Sequence, residues 1–187
     1  GRTMLLTFTR RAAAEMLRRV DGILRDLQGG GGDARQQSAG RKVWGGTFHA
    51  VAARLLRIHG KSIGLDADFT ILDRSDAEDL MHVVRGEVGI GDAKKSASRS
   101  RRRQEESRFP LKGTCLSIYS RAVNTQQPLK KVLHADYPWC EEHEGKLKQL
   151  FAAYVDRKEA AALLDYDDLL LFWRALMQDE TAGPSIR

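Results

Sequence analysis

Two short apolar runs in this chain each close on a threonine–aromatic–polar triplet and pass at once into an amphipathic helix. The first is Met4 to Phe8, closed by Thr7-Phe8-Thr9-Arg10-Arg11. The second is centred on Val43-Trp44 and closed by Gly46-Thr47-Phe48-His49. Runs this short and apolar suit buried strands. Behind the first, Ala13, Met16, Leu17, Val20, Ile23, Leu24 and Leu27 recur at three- and four-residue steps, which makes one apolar stripe. Behind the second, Phe48, Val51, Ala52, Leu55 and Leu56 do the same. Two strand–helix units in succession predict a parallel sheet with right-handed crossovers. Hydroxyls, a ring, cations and helix-start N–H groups then gather at one sheet edge, where a phosphate chain can lie.

The rest of the chain turns helical. Gly29 to Gly32 ends the first helix, and the polar stretch to Gly40 reads as a loop. Phe69-Thr70-Ile71-Leu72-Asp73 is one more short strand-like run before a helix. Ser75-Asp76-Ala77-Glu78 has capping-box spacing, with Ser75 as N-cap and Glu78 at N3. Leu80, Met81, Val84 and Val88 follow on one face. Gly89 to Arg108 is polar and basic and reads as a loop or insertion. Leu116 to Val123, Leu147 to Val155 and Leu169 to Met177 mark further helices, with Pro128 and Pro138 bracketing a connection.

The two triplets resemble the first two DNA-contacting motifs of UvrD/Rep-type superfamily 1 DNA helicases. Leu164-Asp165-Tyr166-Asp167-Asp168-Leu169-Leu170 looks like that family's Asp-Phe-Asp-Asp-Leu-Leu segment, and Phe69 to Asp73 also falls in family order. The resemblance implies an α/β fold, mostly helical: a partial RecA-like parallel sheet of two or three short strands with an inserted all-α subdomain. Residues 1–72 would be the partial RecA-like domain, 73–164 the helical insertion and 165–187 the return helix. It further implies a parent protein that is an ATP- and Mg2+-dependent DNA helicase moving 3′ to 5′. Its partners would be single-stranded DNA, single/double-strand junctions and other helicase domains of the same chain. By the same resemblance Phe8, Thr9, Arg10, Arg11, Thr47, Phe48 and His49 contact DNA. The family often has asparagine where Arg10 stands; arginine keeps the donors but changes their geometry. From spacing alone, Phe8 reads equally as a core residue and the arginines as a solvated helix face.

Several chemistries are not supported by the sequence. A P-loop needs a strand, then Gly-x-x-x-x-Gly-Lys-Ser/Thr, then a helix. Gly60-Lys61-Ser62 mimics its tail, but Leu55 stands at the first glycine position and a helix precedes it. Asp179-Glu180 follows a helix and reads as a charged helix end, not as a magnesium-binding strand end. The expectation is a chain lying between those two ATP motifs, without catalytic residues or a cofactor of its own and inactive toward ATP. Asp165, Asp167 and Asp168 are better explained by helix capping than by a metal. Cys140 and His143 have no second ligand pair, so no metal is expected.

Charge supports a polyanionic partner: 31 Lys and Arg against 25 Asp and Glu give +6. Arg10, Arg11, Arg18 and Arg19 lie near the first triplet. Lys94, Lys95, Arg99, Arg101, Arg102 and Arg103 form a second cluster, which reads either as a contact to duplex phosphates or as a solvated loop. Two widely spaced cysteines, no signal peptide and no apolar run near the roughly 18 residues of a membrane span point to a reducing cytoplasm and no membrane. Two other function classes remain open on the sequence: a non-catalytic nucleic-acid-binding module of a helicase-like subunit in a repair complex, and a helical protein-interaction domain.

Overall fold

The computed structural model describes residues 3–27, 43–90 and 109–186. It divides into two compact units, one over residues 1–67 and 172–187, the other over residues 68–171. The expected loop from Gly29 to Gly40 and the basic cluster from Lys94 to Arg103 lie outside the described residues.

In the first unit, β1 (Met4–Thr7) and β2 (Trp44–Thr47) pair in parallel, with Met4 opposite Trp44 and Thr7 opposite Thr47. Between them runs α1 (Arg10–Leu27), as the strand–helix pattern requires. The second strand sits further along than its Val43-Trp44 centre suggests and takes in Gly45-Gly46. Packing explains why. A Cβ on Gly45 would lie 2.5 Å from Leu17 Cδ2, so the α1 stripe settles onto strand backbone that carries no side chain. The chain then enters α2 (Phe48–His59) with no residue between, and this helix buries Val51, Ala52, Ala53, Leu55 and Leu56. A 3₁₀ turn over Gly60–Ile63 is closed by Gly64 at φ 78°, a left-handed conformation that glycine adopts without strain.

In the second unit, β3 (Thr70–Ile71) and β4 (Leu163–Leu164) form a two-residue parallel ladder. Around it stand α3 (Arg74–Glu87), α4 (Lys112–Thr125), α5 (Leu129–Asp136), a 3₁₀ turn at Pro138–His143 and α6 (Glu144–Ala160). Met81 and Val84 of α3, Cys115 and Ile118 of α4, and Leu147, Leu150 and Tyr154 of α6 are essentially removed from water. Each large apolar side chain so buried contributes roughly 1.5–3 kcal/mol. The cap of α3 differs from the expected Ser75. Asp73 Oδ1 accepts the Asp76 N–H at 2.9 Å, two residues earlier, and Glu78 meets Arg74 at 3.3 Å instead. The β3–β4 pairing explains it, because it leaves Asp73 extended at the strand exit, which is the conformation an N-cap needs.

The last long helix, α7 (Tyr166–Gln178), begins in the second unit, and its residues from 172 onward belong to the first. After it, Asp179 accepts the N–H groups of Thr181 and Ala182 and leads into α8 (Gly183–Ile186), so Asp179-Glu180 is a helix end as the sequence indicates. The result is a mostly helical α/β fold with short parallel ladders. No helix among the described residues is long and apolar enough to cross a membrane.

Candidate nucleic-acid interface

The β1–β2 register places both triplets at the same strand ends, because Thr7 faces Thr47. Each triplet starts its helix with a threonine cap. Thr9 Oγ1 accepts the Ala12 N–H at 3.2 Å, and Thr47 Oγ1 accepts the Ala50 N–H at 3.3 Å. Each hydroxyl keeps its own O–H to donate. First-turn N–H groups have no partner within a helix and carry partial positive charge. Neither α1 nor α2 has an acidic residue in its first turn, whereas α3 has Asp76 and α7 has Asp167 and Asp168. No first-turn carboxylate therefore offsets the partial positive charge of the two helix starts at this edge.

Aromatic rings stand beside these donors. Phe8 is 87% exposed, so it is not a core residue. Its ring centroid lies 5.1 Å from that of half-buried Phe48, with the planes tilted 33°. Phe48 in turn lies 6.4 Å from Trp173 of α7, in the same unit. Arg10 and Arg11 are exposed and form no ion pair among the described residues. Arg18 and Arg19, by contrast, both engage Glu15. The Arg19 hydrogen bond and the Arg18 charge hold that carboxyl below its usual range, so these two arginines spend part of their charge locally. His49 is half-buried next to Phe48. Thus Phe8, Thr9, Arg10, Arg11, Thr47, Phe48 and His49 gather at one edge. Trp173 is a ring that the sequence did not single out. Nothing local ties a helix so far downstream to the two triplets.

The third block forms a separate buried cluster within the second unit. Asp165 Oδ1 accepts the Asp168 N–H and Asp168 Oδ2 accepts the Asp165 N–H, both at 2.9 Å, so the two acids cap the start of α7 reciprocally. These two acids cap the helix start, as the sequence leads one to expect. The sequence missed their cation. Lys158 Nζ donates to Asp165 Oδ2 at 2.7 Å and to Asp168 Oδ2 at 2.5 Å, and the Tyr154 hydroxyl donates to Asp165 Oδ2 at 3.0 Å. Burial alone would push the Lys158 ammonium down, but Asp168 and Asp165 together hold it above its usual value. Burial, and then the charge of Asp165, push the Asp168 carboxyl up against the opposing pull of Lys158. One cation faces two carboxylates, so the cation gains two partners while each acid gains a partner and a rival. Burial also pushes the Tyr119 hydroxyl, 3.3 Å from Lys158 Nζ, up to about 12. Elsewhere in this unit, His143 is buried edge-on against Phe109, at 5.3 Å between ring centroids, and Cys115 and Cys140 are buried free thiols.

Comparison with known proteins gives a consistent match. The family model for the UvrD/REP helicase N-terminal domain matches residues 1–186. DNA helicase II of Haemophilus influenzae is 29% identical over 171 residues, which cover 91% of this chain and 20% of that protein. The ATP-dependent DNA helicase PcrA of Leuconostoc citreum is 29% identical over 178 residues, covering 95% of this chain and 20% of that protein. DNA helicase II of Escherichia coli is 28% identical over 168 residues, covering 90% and 19%. The chain spans about a fifth of the length of the curated relatives it matches.

Proposed function

The chain belongs to the UvrD/REP helicase family, and on that footing we propose that it supplies the single-strand-gripping edge of an ATP-dependent 3′–5′ DNA helicase or translocase. One observation carries the reading: the exposed Phe8 ring, packed 5.1 Å from Phe48, stands between two threonine-capped helix starts that hold no acid. Phe8 stacks on a base, and stacking accepts any base at roughly 1–3 kcal/mol each. Thr9, Thr47 and the first-turn N–H groups hold phosphates, with Arg10 and Arg11 adding charge and His49 a further hydrogen bond. None of these contacts reads a base edge, which suits movement along any sequence. On the same reading, residues 1–72 and 165–187 belong to a RecA-like domain and 73–164 to its helical insertion. Single/double-strand junctions and the remaining helicase domains are the natural partners.

Family membership implies ATP and Mg2+, and the described residues do not fit them. Gly60-Lys61-Ser62 forms a 3₁₀ turn at the end of α2, and Gly60 is buried against Leu65, so no loop opens a helix there to cradle phosphates. On this reading the 187-residue chain by itself binds single-stranded DNA without hydrolysing ATP. Anisotropy of a labelled single-stranded oligonucleotide across a salt series, with a Phe8→Ala/His49→Ala variant alongside, tests the reading. Salt-sensitive binding that the variant weakens supports it. Binding indifferent to the variant, or no binding by the folded chain, refutes it.

A further inference from the structure

We infer that Trp173 is the supporting ring of the DNA-facing aromatic row, a positioning residue that holds Phe48 against Phe8 and so sets how well this edge accepts a base. The inference rests on the single-strand function proposed above. Phe8, Phe48 and Trp173 form a row with centroid spacings of 5.1 Å and 6.4 Å and tilts of 33° and 51°. Both spacings fall in the range where aromatic pairs attract. Exposure falls along the row, from Phe8 almost wholly in water to Phe48 and Trp173 half-buried.

An isolated exposed ring exchanges rotamers on the picosecond to nanosecond scale. Immobilising it on a base then costs side-chain entropy. Contact with a second ring, itself in contact with a third, narrows that freedom before DNA arrives. Trp173 Nε1 is buried and has no hydrogen-bond partner among the described residues. Buried tryptophan N–H groups usually find an acceptor. The ring contact this side chain makes is with Phe48.

The test uses the full chain with Trp173→Leu, Trp173→Phe and Phe8→Ala, and two probes: an oligo(dT) strand and an abasic strand of equal length. The abasic strand offers the same phosphates and no bases. Trp173→Leu should lower the preference for oligo(dT) over the abasic strand roughly threefold to tenfold and leave abasic binding unchanged. Trp173→Phe, which keeps a ring at this position, should restore the preference. If Phe8→Ala abolishes the preference but folded Trp173→Leu retains it, the inference falls while the DNA reading stands. If the unmodified chain shows no preference and Phe8→Ala changes nothing, the DNA reading falls and takes the inference with it. If Trp173→Leu does not fold, Trp173 emission decides in a chain carrying Trp44→Phe and Trp139→Phe. Emission that shifts with oligo(dT) and not with the abasic strand supports the row; unchanged emission overturns it.

Discussion

Lys158→Met should be the most damaging single change in the helical unit. The Lys158 side chain is 3% exposed, and those of Asp165 and Asp168 are 6% and 10%. Methionine fills the space of the lysine stem but leaves two carboxylates facing each other in a dry site. Removing one partner of a buried ion pair costs about 3–5 kcal/mol. With a urea dependence of about 2 kcal/mol per molar, the unfolding midpoint drops by roughly 1.5–2.5 M. The pH dependence has a definite sign. Lys158 is held above its usual value, so its stabilisation is complete below about pH 10.5 and fades only as pH rises through the higher folded value. Asp168 is also raised, so its ionisation costs stability as pH climbs above the ordinary carboxylate range. Without the cation that cost grows at neutral pH, and acidification relieves it by protonation. The deficit should therefore be largest near neutrality and shrink toward pH of about 4. Lys158→Met/Asp165→Asn/Asp168→Asn should recover most of the loss, because amide oxygens can still accept the two cap hydrogen bonds. Urea unfolding followed by circular dichroism at several pH values measures all of this. A loss under about 1 kcal/mol, typical of exposed pairs, would refute the claim that the cluster is dry.

Two smaller perturbations separate capping from DNA contact. Thr47→Ala and Asp73→Ala each remove an N-cap and should each cost about 1 kcal/mol in urea unfolding, but only Thr47→Ala should also weaken oligonucleotide binding by anisotropy. Burial pushes the Cys115 thiol up to about 12 and raises Cys140 as well. The native chain at pH 8 should therefore react with a thiol reagent only after denaturant is added, and prompt reaction of either cysteine would contradict the packing.

What the sequence disclosed depended on how far apart the participants lie. Thr9 and Thr47 were legible as helix starts because a cap and its amide are three residues apart. The parallel β1–β2 pairing was legible because a strand, a helix and another strand leave few alternatives. The cap of α3 was misread because Ser75 and Asp73 are equally good locally. The choice between them falls to the β3–β4 ladder, which joins residues far apart in the chain. Lys158 carries a sign of its own in the sequence: it falls four residues after Tyr154, on the same α6 face as Leu147, Leu150 and Phe151. A cation on an apolar stripe needs a buried partner, and the partners come from the next element. Trp173 had no such sign, since only the closure of the first unit brings α7 to the strand ends.

The helix starts themselves carry an argument that net charge does not. The third residue of each helix is where an acid does most for a capped helix, completing a reciprocal cap and meeting the helix dipole. In α3 that residue is Asp76 and in α7 it is Asp168; in α1 and α2 it is Ala12 and Ala50, both exposed. Nothing steric keeps an acid from either alanine. If the stability of this chain were the only demand, Glu would serve better at both. Ala12→Glu and Ala50→Glu should therefore each raise stability by about 0.3–1 kcal/mol, a midpoint gain of a few degrees at most. Each should also weaken single-strand binding about fivefold, since a like charge within ~4 Å of a phosphate costs ~1 kcal/mol even at the dielectric of water. The two effects have opposite signs, and no purely structural role for these helix starts produces that. Thermal melts and anisotropy on the same preparations measure both. A variant that is more stable and binds DNA as tightly as the unmodified chain would mean that phosphates do not lie at the ends of β1 and β2.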